Sequence, residues 1–189
     1  MDLLELLKGG VWHATSAVNF NAIYADGCVK ASPPATRYEN SFCRSLGKVS
    51  LFDFRDAPNL WKAIERNDWA SFTSIPPEGA SVWLRIDHSR IHIPSCVDLL
   101  KEWNDGRDSG QPLSLNMRII SDLETGRAGD LPTTSFSEVL LIDGARTKMI
   151  PFDDLAADKA EEFFAEPVAA GQTDFARLME AAQKRSNLK

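Results

Sequence analysis

The chain has 189 residues, 43% of them apolar, with 27 acidic and 21 basic side chains and a formal net charge of -6. That length is enough to bury a substantial core in one domain, and the acidity excludes a broad electrostatic grip on nucleic acid, leaving only a local basic groove for such contact. Cys28, Cys43 and Cys96 are widely spaced and odd in number, which gives neither a disulfide framework nor a zinc pattern and predicts reduced cytosolic thiols.

The opening Met1 to Leu7 is apolar but short and acidic, unlike a basic leader, so neither a secretion signal nor a membrane span is expected. A short amphipathic turn or helix should end at Gly9-Gly10 and lead into a strand through Val11-Trp12-His13. Ser16 is placed to cap a helix whose apolar residues Ala17, Phe20, Ile23 and Tyr24 recur at helical spacing, and Gly27 to close it in a left-handed conformation. Such a strand, polar turn and helix aims His13, Thr15 and Ser16 out of the strand end, where they can face a ligand.

Residues 30 to 47 read as irregular, with Pro33-Pro34 and a polar run containing Arg37, Tyr38 and Arg44. Val49 to Phe54 alternates like a strand. Asp56 and Pro58 mark a helix start, with Leu60, Trp61, Ile64 and Trp69 as its buried face, and Ser81 to Asp87 is a second alternating strand. His88 and His92 fall in chain that Ile91, Ile93 and Pro94 make extended, which argues against a shared metal site. Residues 104 to 135 are the least regular stretch: Asn104-Asp105-Gly106 and Gly126 to Pro132 are turn-rich, and only Leu115 to Leu123 suits a short element.

Thr134 to Ile142 then turns from a polar approach into the apolar strand Val139-Leu140-Leu141-Ile142, with Glu138 at its mouth. A turn at Asp143-Gly144 should lead to a neighbouring strand, Thr147 to Phe152. Beyond it, Asp153 or Asp154 can cap a helix through Phe163-Phe164, and Thr173 another carrying Phe175, Leu178 and Met179. The organisation expected is a domain over 1–152 with an acidic helical extension, 153–189, packed on it. No phosphate-binding glycine loop, dinucleotide fingerprint or nucleophile elbow occurs.

Val11-Trp12-His13-Ala14-Thr15-Ser16, followed by a helix ending in Ile23-Tyr24-Ala25-Asp26-Gly27, resembles the first motif of ADP-ribosyltransferase-fold proteins, a His-x-Thr turn before an I-x-x-x-G helix end. A Tyr/Arg segment and aromatic strand (Tyr38 to Phe54), a strand like Val82 to Asp87 and Ser137-Glu138-Val139-Leu140-Leu141 follow in the family's order, nearest to DarT-type toxins. The resemblance spans residues 10 to 152. It implies an α+β fold with a split, bent β-sheet core, flanking helices and a helical C-terminal segment. It also implies cleavage of NAD between nicotinamide and ribose, with transfer of ADP-ribose to a nucleic-acid or protein acceptor.

By the same resemblance Glu138 is the catalytic carboxylate, stabilising an oxocarbenium-like transition state. His13 hydrogen-bonds an NAD ribose, the Ala14 backbone holds the nicotinamide amide, and Thr15 and Ser16 orient the cofactor. Arg44, with Arg37 as its rival, takes the diphosphate, while Tyr38, Phe52 or Phe54 stacks on nicotinamide. The family often has Gly after the His, where this chain has Ala14, and Phe136 replaces the Glu or Gln of arginine-modifying members, so arginine is a poor acceptor. An antitoxin or other partner protein and a cytoplasmic, membrane-free setting complete the expectation. The alternatives are an RNA 2'-phosphotransferase using NAD, disfavoured by the acidity and few histidines, and an interaction module on the same fold.

Overall fold

The computed structural model describes residues 3–32, 41–56, 65, 68–75, 79–108, 119–120, 122–144 and 146–166. Arg37, Tyr38, Leu60, Trp61, Ile64 and the segment from Thr173 lie outside them, as do the expectations that rest on them.

The helix α1 (Leu3–Leu7) precedes β1 (Val11–Thr15), α2 (Ala17–Asp26) and β2 (Cys28–Val29). Here local chemistry dictates structure directly. The Ser16 hydroxyl accepts the Asn19 N–H at 3.2 Å, satisfying one of the orphan donors of the first turn, and Gly27 ends α2 at φ 70°. Phe20 is fully buried, while Ile23 and Tyr24 pack against the same core.

A four-residue helix α3 (Phe42–Ser45) leads into β3 (Lys48–Asp53), and a 3-10 turn over Asp68–Thr73 precedes β4 (Ala80–Ile86). Next come α4 (Cys96–Asp108), β5 (Glu124–Ala128), β6 (Leu131–Pro132), the hairpin β7 (Phe136–Asp143) and β8 (Arg146–Pro151), and α5 (Ala156–Ala165). Six strands form one antiparallel sheet in the order β5-β3-β1-β4-β7-β8, and β2 pairs with β6 in a small second sheet. The fold is therefore mixed α+β.

Two expectations for residues 104 to 135 are corrected. Asn104-Asp105-Gly106 is helical, because Leu99 and Trp103 of α4 pack with Phe42 and Cys43 on the β3–β5 side of the sheet. Glu124 to Ala128 is a strand despite its low strand propensity, since it pairs with β3 over five residue pairs from Lys48↔Ala128 to Phe52↔Glu124.

Alternation along the strands sorts the core into two layers. Val11, Leu51, Val82, Leu84, Val139 and Leu141 face α2 and α5, with Phe136 and Phe163 in the same layer. Trp12, Phe52, Trp83, Leu140 and Ile142 face α1 and the 3-10 turn, together with Phe54 and Trp69. Trp12 and Trp83 are fully buried, each worth roughly 4–6 kcal/mol relative to exposure at the usual area coefficient. Their indole N–H groups are satisfied by Leu7 O at 2.9 Å and Ser81 Oγ at 3.1 Å. No helix among the described residues is long and apolar enough to cross a membrane.

Candidate functional site

The sheet opens between β1 and β3. The two strands pair only at Val11↔Asp53 and Trp12↔Phe52, whereas β1 stays paired to β4 through Thr15 and β3 to β5 through Lys48. Beyond Trp12 the β1 edge facing β3 thus leaves the ladder, and the first side chain past the last pair is His13. Its ring reaches across the opening, where Nδ1 lies 3.1 Å from the Ser50 carbonyl oxygen. A carbonyl only accepts, so Nδ1 carries the proton and Nε2 keeps its lone pair.

Burial holds the His13 pKa below the ordinary 6.5, with the Ser50 hydrogen bond opposing it in part, so the ring is neutral at pH 7. The consequence for stability follows from the sign of that shift. Above pH 6.5 the contribution is fully present, and as the pH falls the unfolded chain takes up the proton first, so stability drops until the folded pKa is passed, by at most about 1.4 kcal/mol per pH unit. His13→Asn keeps an amide donor for Ser50 but does not titrate. Chemical denaturation of the two proteins between pH 7.5 and 5 should therefore show the parent losing more stability, and parallel curves would contradict this account of the half-buried imidazole.

Ser50 is gripped from its other side by Glu124. The Ser50 hydroxyl donates to Glu124 Oε1 at 2.7 Å, and the Ile120 N–H donates to Oε2 at 2.9 Å. With 6% of the residue exposed, Glu124 is a buried carboxylate with hydrogen bonds to both oxygens. The Cys43 thiol lies beside it and donates to Thr125 O at 3.5 Å, while burial, and next the Glu124 charge, push that thiol far above its ordinary range and leave it un-ionised. Ser50 thus links His13 and Glu124 through different groups: its main-chain carbonyl holds the imidazole on one face of the sheet, and its side chain holds the carboxylate on the other. Nothing in the local sequence singles out Glu124, because Thr125-Gly126 reads as a turn. Ser50 carries a faint signal as the polar residue between Val49 and Leu51.

Glu138 does not join this group. Register places Glu124, Phe52, Trp12, Arg85 and Glu138 in one cross-sheet row, with Glu138 at the far end from Glu124, four strand spacings or about 19 Å away. Its carboxylate accepts from Arg85 Nη1 at 2.5 Å, the Arg85 guanidinium lies 5.7 Å from the Trp12 ring centroid, and the Glu138 side chain is 38% exposed. His13 pairs with Leu84, one residue along β4 from the Arg85 that faces Glu138, so it belongs to the alternate side of the sheet. The strands of His13 and Glu138 are separated by β4, and the aromatic layer around Trp12 and Trp83 fills the space near Glu138.

Phe136 is also relocated. A bulge puts Ile86 opposite Phe136 and Arg85 opposite Glu138, leaving Ser137 as the extra residue. Phe136 consequently turns into the layer under α2, 2% exposed and 5.4 Å from the Phe152 ring, where it cannot meet an acceptor. Phe52 and Phe54 are spent in the same way, buried against Trp83 at 5.1 and 6.3 Å. Ala14 is half-buried opposite Trp83, Thr15 is buried, and Ser16 caps α2. Half-buried Arg44 stands on α3, which leads into the Lys48 end of β3, and Arg37 and Tyr38 are outside the described residues.

At the other end of β3, Arg55 forks onto Asp53 at 2.8 and 2.7 Å and also donates to the Ile93 and Pro94 carbonyls at 3.3 and 3.0 Å. A guanidinium held that completely ties β3 to the loop before α4 and has little left for a ligand. Among the described residues no group of three or more His, Cys, Asp or Glu side chains could hold a metal ion. Comparison with protein-family models, with curated proteins and with solved structures finds no match to this chain.

Proposed function

We propose that this chain is an NAD-dependent ADP-ribosyltransferase of the toxin or effector type, and that NAD is cleaved in the opening between β1 and β3. One observation carries the reading: the β1–β3 ladder stops after two residue pairs, and at that point a neutral imidazole and a buried carboxylate both contact Ser50. A histidine and a carboxylate are the groups that the resemblance of the His13 motif calls for; here His13 stands on β1 at the gap and Glu124 on β5, behind β3. Glu124 takes the role the sequence suggested for Glu138.

In this reading His13 Nε2 accepts from a ribose hydroxyl, and the free edge of β1 at Ala14 offers main-chain groups to the nicotinamide amide. Arg44, on the helix that precedes β3, is assigned to the diphosphate. Glu124 is assigned the stabilisation of the positive charge that develops as the C–N bond breaks. Nicotinamide departs with the bonding electrons, the acceptor bonds to the anomeric carbon, and its proton passes to solvent. The acceptor is of nucleic-acid or protein class.

Incubating the protein with NAD and measuring nicotinamide by mass spectrometry tests the reading. Release is expected from the parent chain, with a higher KM in Arg44→Ala, since one charge-assisted contact is worth roughly 1.5–3 kcal/mol. A parent that neither binds nor cleaves NAD would favour an interaction module on this fold.

A further inference from the structure

We propose that Asp122 is a positioning residue for the Glu124 carboxylate, acting through its left-handed backbone conformation; the proposal rests on the NAD-cleaving reading above. At φ 67°, Asp122 is the one non-glycine residue with positive φ among the described residues, and it lies two positions before Glu124. An L-residue adopts that conformation at a cost, which Asp tolerates better than most and glycine best. Strain of this kind persists where surrounding contacts hold it in place.

Those contacts close a turn around Glu124. The Leu123 and Glu124 N–H groups both donate to the Ile120 carbonyl, at 3.2 and 2.7 Å, and the Ile120 N–H donates back to Glu124 Oε2 at 2.9 Å. Main chain and side chain of Glu124 therefore grip the same residue in opposite senses. The Asp53 N–H holds Leu123 O at 2.7 Å, which prevents the turn from relaxing by sliding along β3. Ser50 fixes one carboxylate oxygen and the turn fixes the other, so the carboxylate cannot rotate freely before substrate arrives. A residue at 122 that resists positive φ would withdraw the Ile120 N–H while leaving Glu124 itself in place.

The test compares Asp122→Gly, Asp122→Asn, Asp122→Ala and Asp122→Val in the full chain. Each is assayed for nicotinamide release at saturating NAD, for NAD affinity and for hydrogen exchange of the Ile120 amide. Gly and Asn should match the parent, Ala should fall severalfold in turnover, and Val tenfold or more, with NAD affinity within threefold throughout and Ile120 exchange accelerating in the same order. If Val fails to fold, the contrast between Gly and Ala carries the test. Parental turnover in both Ala and Val would overturn the proposal, as would equal loss in Gly and Ala, which would assign the effect to the Asp122 side chain. A parent inert towards NAD defeats the functional reading and the catalytic half of this one; Ile120 exchange then decides the geometric half, and parental exchange in Ala and Val overturns that too.

Discussion

Replacing Glu124 with Gln is expected to slow nicotinamide release roughly a thousandfold while leaving NAD affinity nearly unchanged. A carboxylate about 4 Å from a developing cation, at an effective dielectric near 20, supplies about 4 kcal/mol, and that energy is realised only as the C–N bond breaks. Gln keeps the size, and its carbonyl oxygen can accept from the Ile120 N–H while its amide donates to the Ser50 hydroxyl oxygen, so the fold around β5 should survive. The control is Glu138→Gln. Its parent forms a half-exposed pair with Arg85 and stands outside the opening, so turnover should stay within threefold and stability should change by about 1 kcal/mol or less. Steady-state kinetics on both variants check this, and the reverse pattern would restore Glu138 as the catalytic carboxylate.

The second large effect concerns the strand that carries Glu124. A Cβ on Gly126 would come within 2.8 Å of Cys43 Sγ, closer than real contacts allow, and within a tight 3.2 Å of Lys48 Cδ. Gly126→Ala should therefore cost about 1–3 kcal/mol by overpacking β5 against α3. Cys43→Ala removes the obstructing sulfur, so the double variant should recover part of that loss, a coupling that chemical denaturation of the four proteins measures. Strict additivity would mean that the cost arises elsewhere.

Glycine at this close approach also explains what was legible in the sequence. The β1–α2 unit could be read because its signals are local: Ser16 caps α2, Gly27 closes it and Phe20 marks its buried face. The β7–β8 hairpin was legible for the same reason, through an apolar run and the turn at Gly144, which has φ 58°. The strand β5 was not, since Gly126 answers to Cys43 and Lys48, residues about eighty positions away. In α4, Cys96, Leu99 and Trp103 do stand at helical spacing, but the turn-forming run Asn104-Asp105-Gly106 masks it.

Glu138 drew attention as a charge heading an apolar strand, and only the sheet reveals its partner, Arg85, 53 residues earlier. The bulge at Ser137, which turns Phe136 and Glu138 to opposite sides, likewise has no signature of its own in the sequence. His13 stood out through its motif. Its hydrogen-bond partner, the Ser50 carbonyl, is set by strand order.

The most direct measurement is a titration of the Glu124→Gln variant with NAD, followed by the 15N signals of the His13 ring. This variant should bind NAD without consuming it. Binding in the opening between β1 and β3 predicts a saturable shift at Nε2 as it accepts from the ribose, with Nδ1 still held by Ser50 and the Arg85 guanidinium signals unmoved. A His13 ring indifferent to saturating NAD, or shifts confined to Arg85 and its neighbours, would contradict it.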